Sequence, residues 1–277
     1  MSILHEIVKA NAEELAAAER ALPAAELLRK IAALPPAPRF AAALQAKRTC
    51  AQPAVIAELK ATSPSKGVIR EPLDCATLAA ELEAAGAAAL SVLTEPHFFH
   101  GSLENLRRAR AACTLPLLRK DFIVNEYQLM EARAAGASAA LLIAALLDDD
   151  ARLRDLVDAA HGLGLEVLLE AHTDGELERA LATQADLVGV NARDLHTFRT
   201  SLEAVEALIR RIPADRTPIA ESALRTHEDI VRLQAAGATG FLMGETLMRA
   251  PRPAERLRDL LHHADRLHDG QAEEATA

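Results

Sequence analysis

AAGASAALLIAALLDDDARLRDLVDAAHGLGLEVLLEA, residues 134–171, holds one complete structural unit. A small-residue tetrad containing a glycine (Ala134–Ala137) leads into the apolar run SAALLIA (138–144). The period then changes: Leu153, Leu156 and Val157 recur at i, i+3 and i+4, the spacing of one helix face. Gly164 interrupts that helix, and a second apolar run, LEVLLEA (165–171), follows. An uninterrupted apolar run has no polar face, so the strand it forms must be covered on both sides, as in a parallel sheet.

The same unit repeats along the chain. Further apolar runs are AVIAELK (54–60), AALSVLT (88–94), LPLLRK (115–120), DLVGVN (186–191), TPIAES (217–222) and TGFLMG (239–244), which brings the number to eight. They recur every ~26 residues, an ordinary strand-plus-helix length. Helical spacing returns between runs, for example at Leu78, Leu82 and Ala85. The AAGA device recurs at 84–87 and 235–238, so Gly86, Gly136 and Gly237, together with Gly164, are expected just past helix ends in the left-handed conformation. Eight such strands, each followed by a helix, predict an α/β chain closed into a (β/α)8 TIM barrel. An open doubly wound sheet needs only six strands, and no GxGxxG follows the first run, where a dinucleotide site would place one. Residues 1–50 read as an N-terminal helical extension packed on the barrel, with an amphipathic helix over Leu15–Ala33 and an extended bend at PPAPRF (35–40). The barrel takes 51–269, and 270–277 read as a frayed polar tail.

Composition narrows the function. Half of the 277 residues are hydrophobic and 26% are charged, enough for a large core. Net charge is −9 with no basic run, which argues against nucleic acid or an anionic membrane surface as partner. The apolar runs are too short to span a bilayer, and the N-terminus lacks the apolar stretch of a secretory signal. Cys50, Cys75 and Cys113 have no zinc spacing and read as reduced core thiols of a cytoplasmic protein. Asp148–Asp150 suit the first turn of a helix better than a metal, so no metal is expected.

Active sites of this fold lie at the carboxyl ends of the strands. The polar residues there are Glu58 and Lys60, Lys120, Glu170, Asn191, then Glu221 and Ser222, with Gly244 ending the last run. Glu58 and Lys60 lie two apart and share a face. Ala57 and Leu59 suit the helix layer, so the two charges are expected to point into the barrel. Lysine usage adds weight: there are six lysines against 25 arginines, and none in 121–277. Lysine can give up its proton where the surroundings lower its pKa, and arginine cannot. Simple ion pairs, Lys60 with Glu58 and Lys120 with Asp121, are the competing reading. Glu170 closes an apolar strand, where desolvation is expected to raise its pKa and make it a proton acceptor. The first loop, TSPSKG (62–67), with ESAL (221–224) and MGET (243–246), offers hydroxyls and backbone N–H groups for a phosphate, although Ser63 and Thr246 also suit helix caps.

In order along the chain, IAELKATSPSKGVIR (56–70), SVLTEPHFFHGSLENL (91–106), LPLLRKDFIVNEYQ (115–128), LLEAH (168–172), GVNARDL (189–195), IAESAL (219–224) and FLMGETLMR (241–249) resemble the indole-3-glycerol-phosphate synthase family of tryptophan biosynthesis. The resemblance implies closure of 1-(2-carboxyphenylamino)-1-deoxyribulose 5-phosphate to indole-3-glycerol phosphate, with loss of CO2 and water by acid–base catalysis. It implies Lys120 as general acid, Lys60 on the substrate carboxylate and the departing hydroxyl, Glu170 as partner in dehydration, and Glu58 tuning Lys60. Asn191 and Arg193 would position substrate, and Phe99 and Phe122 would pack on its ring, with Leu141, Leu195 and Leu242 in the same pocket. Ser63, Ser222, Ala223, Gly244, Glu245 and Thr246 would surround the phosphate. A monomer acting on a phosphorylated small molecule is implied, with no cofactor. Two positions depart from the family pattern: Ala192 replaces an asparagine and Ala223 a glycine, and Glu245 is an acid beside the expected dianion. A class I aldolase using Lys120 as Schiff-base nucleophile, and a non-catalytic phosphate-binding barrel, are the alternatives.

Overall fold

A computed structural model describes residues 3–191, 201–222 and 224–262. Eight parallel strands close into a barrel in sequence order: β1 (Ala54–Leu59), β2 (Ala89–Leu93), β3 (Leu117–Lys120), β4 (Ala139–Ile143), β5 (Glu166–Ala171), β6 (Leu187–Asn191), β7 (Thr217–Glu221) and β8 (Gly240–Met243), with β8 paired back onto β1. Each falls inside one of the apolar runs read from the sequence. The alternation of β1 sorts its side chains into two cores. Ala57 and Leu59 join the layer between sheet and helices, whereas Ala54 and Ile56 face the barrel interior with Leu118, Leu141, Leu168 and Ile219. Glu58 is therefore aimed inward, as expected.

The helices around the barrel include α4 (Cys75–Ala84), α5 (Leu103–Ala112), α6 (Glu126–Ala134), α7 (Asp150–Gly162), α8 (Asp174–Leu181), α9 (Leu202–Ile209) and α10 (His227–Ala236). Gly86, Gly136, Gly164 and Gly237 have φ of 99°, 93°, 74° and 118°, the left-handed helix ends that the sequence predicts. Asp149 accepts from Ala151 and Arg152 N–H at the start of α7, so one of the three consecutive acids is a helix cap.

The extension departs from the sequence reading in one respect. Leu15–Ala33 is not one helix: α1 (Ile3–Ala21) ends before Pro23, which starts α2 (Ala24–Ala32) with φ −56° and ψ 146°. Proline lacks the N–H that a helix interior requires, so the chain turns there. Residues 35–39 form no helix or strand, with Arg39 extended, and α3 (Phe40–Thr49) closes the amino-terminal end of the barrel with the fully buried Phe40 and Leu44. Arg39 offers α3 no side-chain cap. The Glu166 carboxylate from the start of β5 supplies it, accepting from Phe40 and Ala41 N–H. At the other end Leu4 and Ile7 of α1 pack with the barrel-interior cluster. The α1–α2 turn is tied down by Tyr127 on α6, whose hydroxyl lies 2.9 Å from Ala18 O and 2.8 Å from Leu22 O.

Cys75 and Cys113 are buried, and burial pushes the Cys75 thiol up to about 12. Cys50 is not a core residue: it caps α3 on the surface and is exposed. No described helix is long and apolar enough to cross a membrane.

Candidate active site

A cavity of about 740 Å³ opens at the carboxyl ends of the strands, a usual size for a small-molecule site. The strand-end residues Glu58, Lys60, Lys120, Glu170 and Asn191 all line it. So do Phe99, Phe122, Leu141 and Leu242, and, on the β7–β8 side with the first loop, Ser63, Ser222, Gly244, Glu245 and Thr246. Arg193, Leu195, Ala192, Ala223 and the tail lie outside the described residues.

The charges form two clusters. At the end of β1, the Lys60 ammonium donates to Glu58 Oε1 at 2.5 Å, so the ion pair foreseen there exists and faces the cavity. Gly244 makes room for it: a Cβ at that position would run into the Glu58 carboxylate. The second cluster spans β3, β5, β6 and β7. Lys120 Nζ donates to Glu170 Oε2 at 2.9 Å and lies 3.4 Å from Glu221 Oε2, while Asn191 Nδ2 donates to Glu170 Oε1 at 3.2 Å. The Lys120–Asp121 pair does not form. Neighbours on a strand face opposite ways, and Asp121 turns to Arg119 at 2.9 Å and to Thr94 at 2.5 Å.

Electrostatics correct two expectations. Burial favours a neutral Lys120, yet the charges of Glu170, Glu221 and Glu58 outweigh it and raise the pKa, so this lysine is held charged instead of being eased towards the free amine. Burial alone would raise Glu170, but Lys120 and the adjacent His172 hold its carboxyl well below the usual range. The carboxyl with the raised pKa is Glu221, pushed up to about 8 by burial and by the Glu170 charge, with Lys120 opposing. Neither Glu221 oxygen finds a hydrogen-bond donor among the described residues. Once protonated, the group becomes a donor beside the Glu170 carboxylate, and the strain of two adjacent buried anions is relieved.

Glu221 stands at a strand end as openly as Glu170 does; the sequence names it there but marks no role for it. Its place depends on Gly189 of β6, where any Cβ would strike the Glu221 carboxylate. Gly189→Ala should cost about 1–3 kcal/mol by overpacking and also displace Glu221. Gly240→Ala serves as control, since its Cβ would meet only apolar side chains, Ile219 Cδ1 at 2.7 Å and Leu44 Cδ1 at 3.1 Å. Thermal unfolding should rank the two variants together, and kcat should fall far more for Gly189→Ala. Equal kcat values would detach Gly189 from the site.

The loop after β2 is organised by Glu95, fully buried, whose carboxylate accepts from His97, Phe98 and Phe99 N–H at 2.8–3.0 Å. It presents Phe99 to Phe122, with ring centroids 5.8 Å apart and planes tilted by 37°, forming an aromatic wall. The first loop folds into a hairpin, Thr62–Ser63 against Gly67–Val68, so Ser63 caps no helix. Nor does Thr246, whose hydroxyl donates to Leu224 O at 2.7 Å and ties the β8 end to the loop after β7. Ser222, which precedes Ala223, takes φ 63°, in the left-handed region. Glu245 pairs with Arg249 at 2.9 Å and lies 3.9 Å from Lys66, which offsets its charge near the expected phosphate.

The chain is a (β/α)8 barrel of the TIM-barrel class, with lysines and carboxyls converging at its carboxyl-terminal mouth, where active sites of this fold lie. Solved structures agree on the fold. An N-acetylmannosamine-6-phosphate 2-epimerase from Clostridium perfringens superposes with TM-score 0.57 at 17% identity, over 75% of this chain and 93% of that one. A thiamine phosphate pyrophosphorylase from Pyrococcus furiosus does so with TM-score 0.56 at 14% identity, over the same shares. Sequence comparison is more specific. The family model described as indole-3-glycerol phosphate synthase matches residues 4–260. The indole-3-glycerol phosphate synthase of Albidiferax ferrireducens is 46% identical over 258 residues, 93% of this chain and 97% of that protein. That of Burkholderia vietnamiensis is 47% identical over 255 residues, 92% and 97% of the two chains. The chain belongs to the indole-3-glycerol phosphate synthase family.

Proposed function

We propose that the protein closes the indole ring: it converts 1-(2-carboxyphenylamino)-1-deoxyribulose 5-phosphate to indole-3-glycerol phosphate, releasing CO2 and water. The observation that carries this reading is Lys120, held as an ammonium between Glu170 and Glu221 at the cavity floor. The charged lysine donates its proton to the ribulose carbonyl as the aromatic carbon attacks, and the carboxylates beside it stabilise the ammonium between turnovers. Lys60, positioned by Glu58, takes the substrate carboxylate and serves the departing hydroxyl. Glu170 accepts the proton lost in dehydration, and Glu221, protonated near neutrality, is the reserve acid beside it. Asn191 and Arg193 orient the substrate. Phe99 and Phe122, with Leu141, Leu195 and Leu242, receive the aromatic ring. The phosphate goes to Ser63, Ser222, Ala223, Gly244 and Thr246, with Glu245 turned to its cations. Folding a flexible substrate against these groups is itself worth several kcal/mol, up to ~7–11.

The Schiff-base alternative requires a neutral amine at Lys120, and its neighbours oppose that form. Borohydride with a ketose phosphate should therefore trap no adduct. The direct test is fluorescence of the indole product. The chain has no tryptophan and one tyrosine, so the background is low. Product emission from purified protein supports the reading, and folded protein that yields none overturns it. The reading includes a monomer in the cytoplasm, and light scattering on the purified chain decides its oligomeric state.

A further inference from the structure

His172 stands two residues beyond Glu170 and so on the same face, one level nearer the cavity mouth. Its side chain is only 8% exposed and fills the space between two carboxylates. Nε2 lies 3.2 Å from Glu170 Oε1, off the line of a good hydrogen bond, so the contact is an ion pair. Nδ1 lies 3.3 Å from Glu176 Oε2 on α8, and the same oxygen accepts from His172 N–H at 2.8 Å. The ring thus links the catalytic cluster to the amino-terminal end of α8.

We propose that His172 is a positioning residue for Glu170: as an imidazolium braced by Glu176, it holds the Glu170 carboxylate ionised and oriented, and so leaves the mobile proton of the cluster on Glu221. The inference rests on the proton-accepting role given to Glu170 above. Two arguments support it. First, Glu170 Oε1 faces Asn191 and His172 while Oε2 faces Lys120, so each oxygen has its own cationic or donor partner. Glu221 beside it has only Lys120, at 3.4 Å, among the described residues. Two adjacent buried carboxyls share one proton near neutrality, and it settles on the one with fewer cations. Second, burial would favour a neutral ring, but Glu170 and Glu176 outweigh it and raise the His172 pKa to about 10, so the charge persists across the neutral range. The groups facing this pair are Lys120 on β3, Asn191 on β6, Glu221 on β7 and Glu176 on α8, and Glu58 on β1 adds its charge through Lys120.

The experiment compares wild type with His172→Asn and Glu176→Gln. His172→Asn should lower kcat roughly ten- to a hundredfold, about what losing a partner of a charged group is worth. KM should change little, and the acid limb of the kcat profile should move to higher pH, because Glu170 loses a cation. An unaltered pH profile with a lower Tm would reduce His172 to a packing residue and overturn the proposal. The second readout needs no turnover. In histidine-labelled wild type, the NMR signal absent from His172→Asn should stay in its charged form to above pH 8, and Glu176→Gln should bring its titration down. Titration of that signal near 6.5 in wild type also overturns the proposal. If wild type makes no product, the ring-closure reading fails, while the NMR result still decides whether the brace exists.

Discussion

Lys120→Met removes turnover and destabilises the fold together. Loss of a positioned general acid costs about 10²–10⁴-fold in kcat. Glu170 and Glu221 then face each other at the floor of the cavity with no ammonium between them, and breaking such a buried cluster costs ~3–5 kcal/mol at neutral pH. The sign reverses with acid. In wild type, the Glu170 pKa lies below its unfolded value, so its contribution is present above the unfolded pKa and is lost as pH falls through the folded one. Without Lys120 the buried carboxyls retain protons that the unfolded chain releases, and the variant becomes more stable as pH falls towards 5. Lys120→Arg separates charge from proton transfer. Guanidinium restores the pairs and much of the stability, but it cannot give up a proton, so turnover stays low. Thermal unfolding at pH 5 and 8 beside a product assay reads both effects. An active Lys120→Arg enzyme would show that charge alone suffices.

Glu221→Gln pulls activity and stability in opposite directions. The Glu221 pKa of about 8 lies above its unfolded value, so between the two the folded state holds a proton that the unfolded state lacks. Stability from this group therefore declines as pH rises from the unfolded pKa towards about 8. A glutamine of the same shape donates permanently to Glu170 and carries no proton to lose. The variant should melt higher than wild type at pH 8–9, and its stability should lack that decline. Turnover should fall about 10²-fold, and any basic limb near pH 8 that belongs to the Glu170–Glu221 pair should vanish. Full activity in Glu221→Gln would remove this carboxyl from the chemistry. A stabilised but slow enzyme is the common outcome where an active site stores unfavourable burial.

The barrel was legible because its evidence is one-dimensional: apolar runs at a steady spacing, a glycine past four of the helices, charges at strand ends. Lys60, Lys120 and Glu170 were found by that rule alone. Their protonation was not, because it depends on partners brought together from different strands. Glu170 and Glu221 occupy equivalent places in sequence. What separates them is His172 above one and an empty donor count around the other, and both are facts of closure. His172 itself reads as one scattered histidine among ten until α8 brings Glu176 against it. Leu15–Ala33 differs in kind: its helical periodicity runs on across Pro23, but a proline has no N–H for a helix interior, and the chain breaks there into α1 and α2. Cys50 shows the limit of composition: two of three thiols follow the burial habit, and the third sits at a helix end.

Tyr127 is the sole phenol of a chain that has no indole, and its hydroxyl sits on the seam between extension and barrel. The protein therefore carries its own optical reporter at one defined place. Ultraviolet emission and near-UV dichroism of this phenol register whether the first two helices are docked, so their detachment can be followed separately from melting of the sheet.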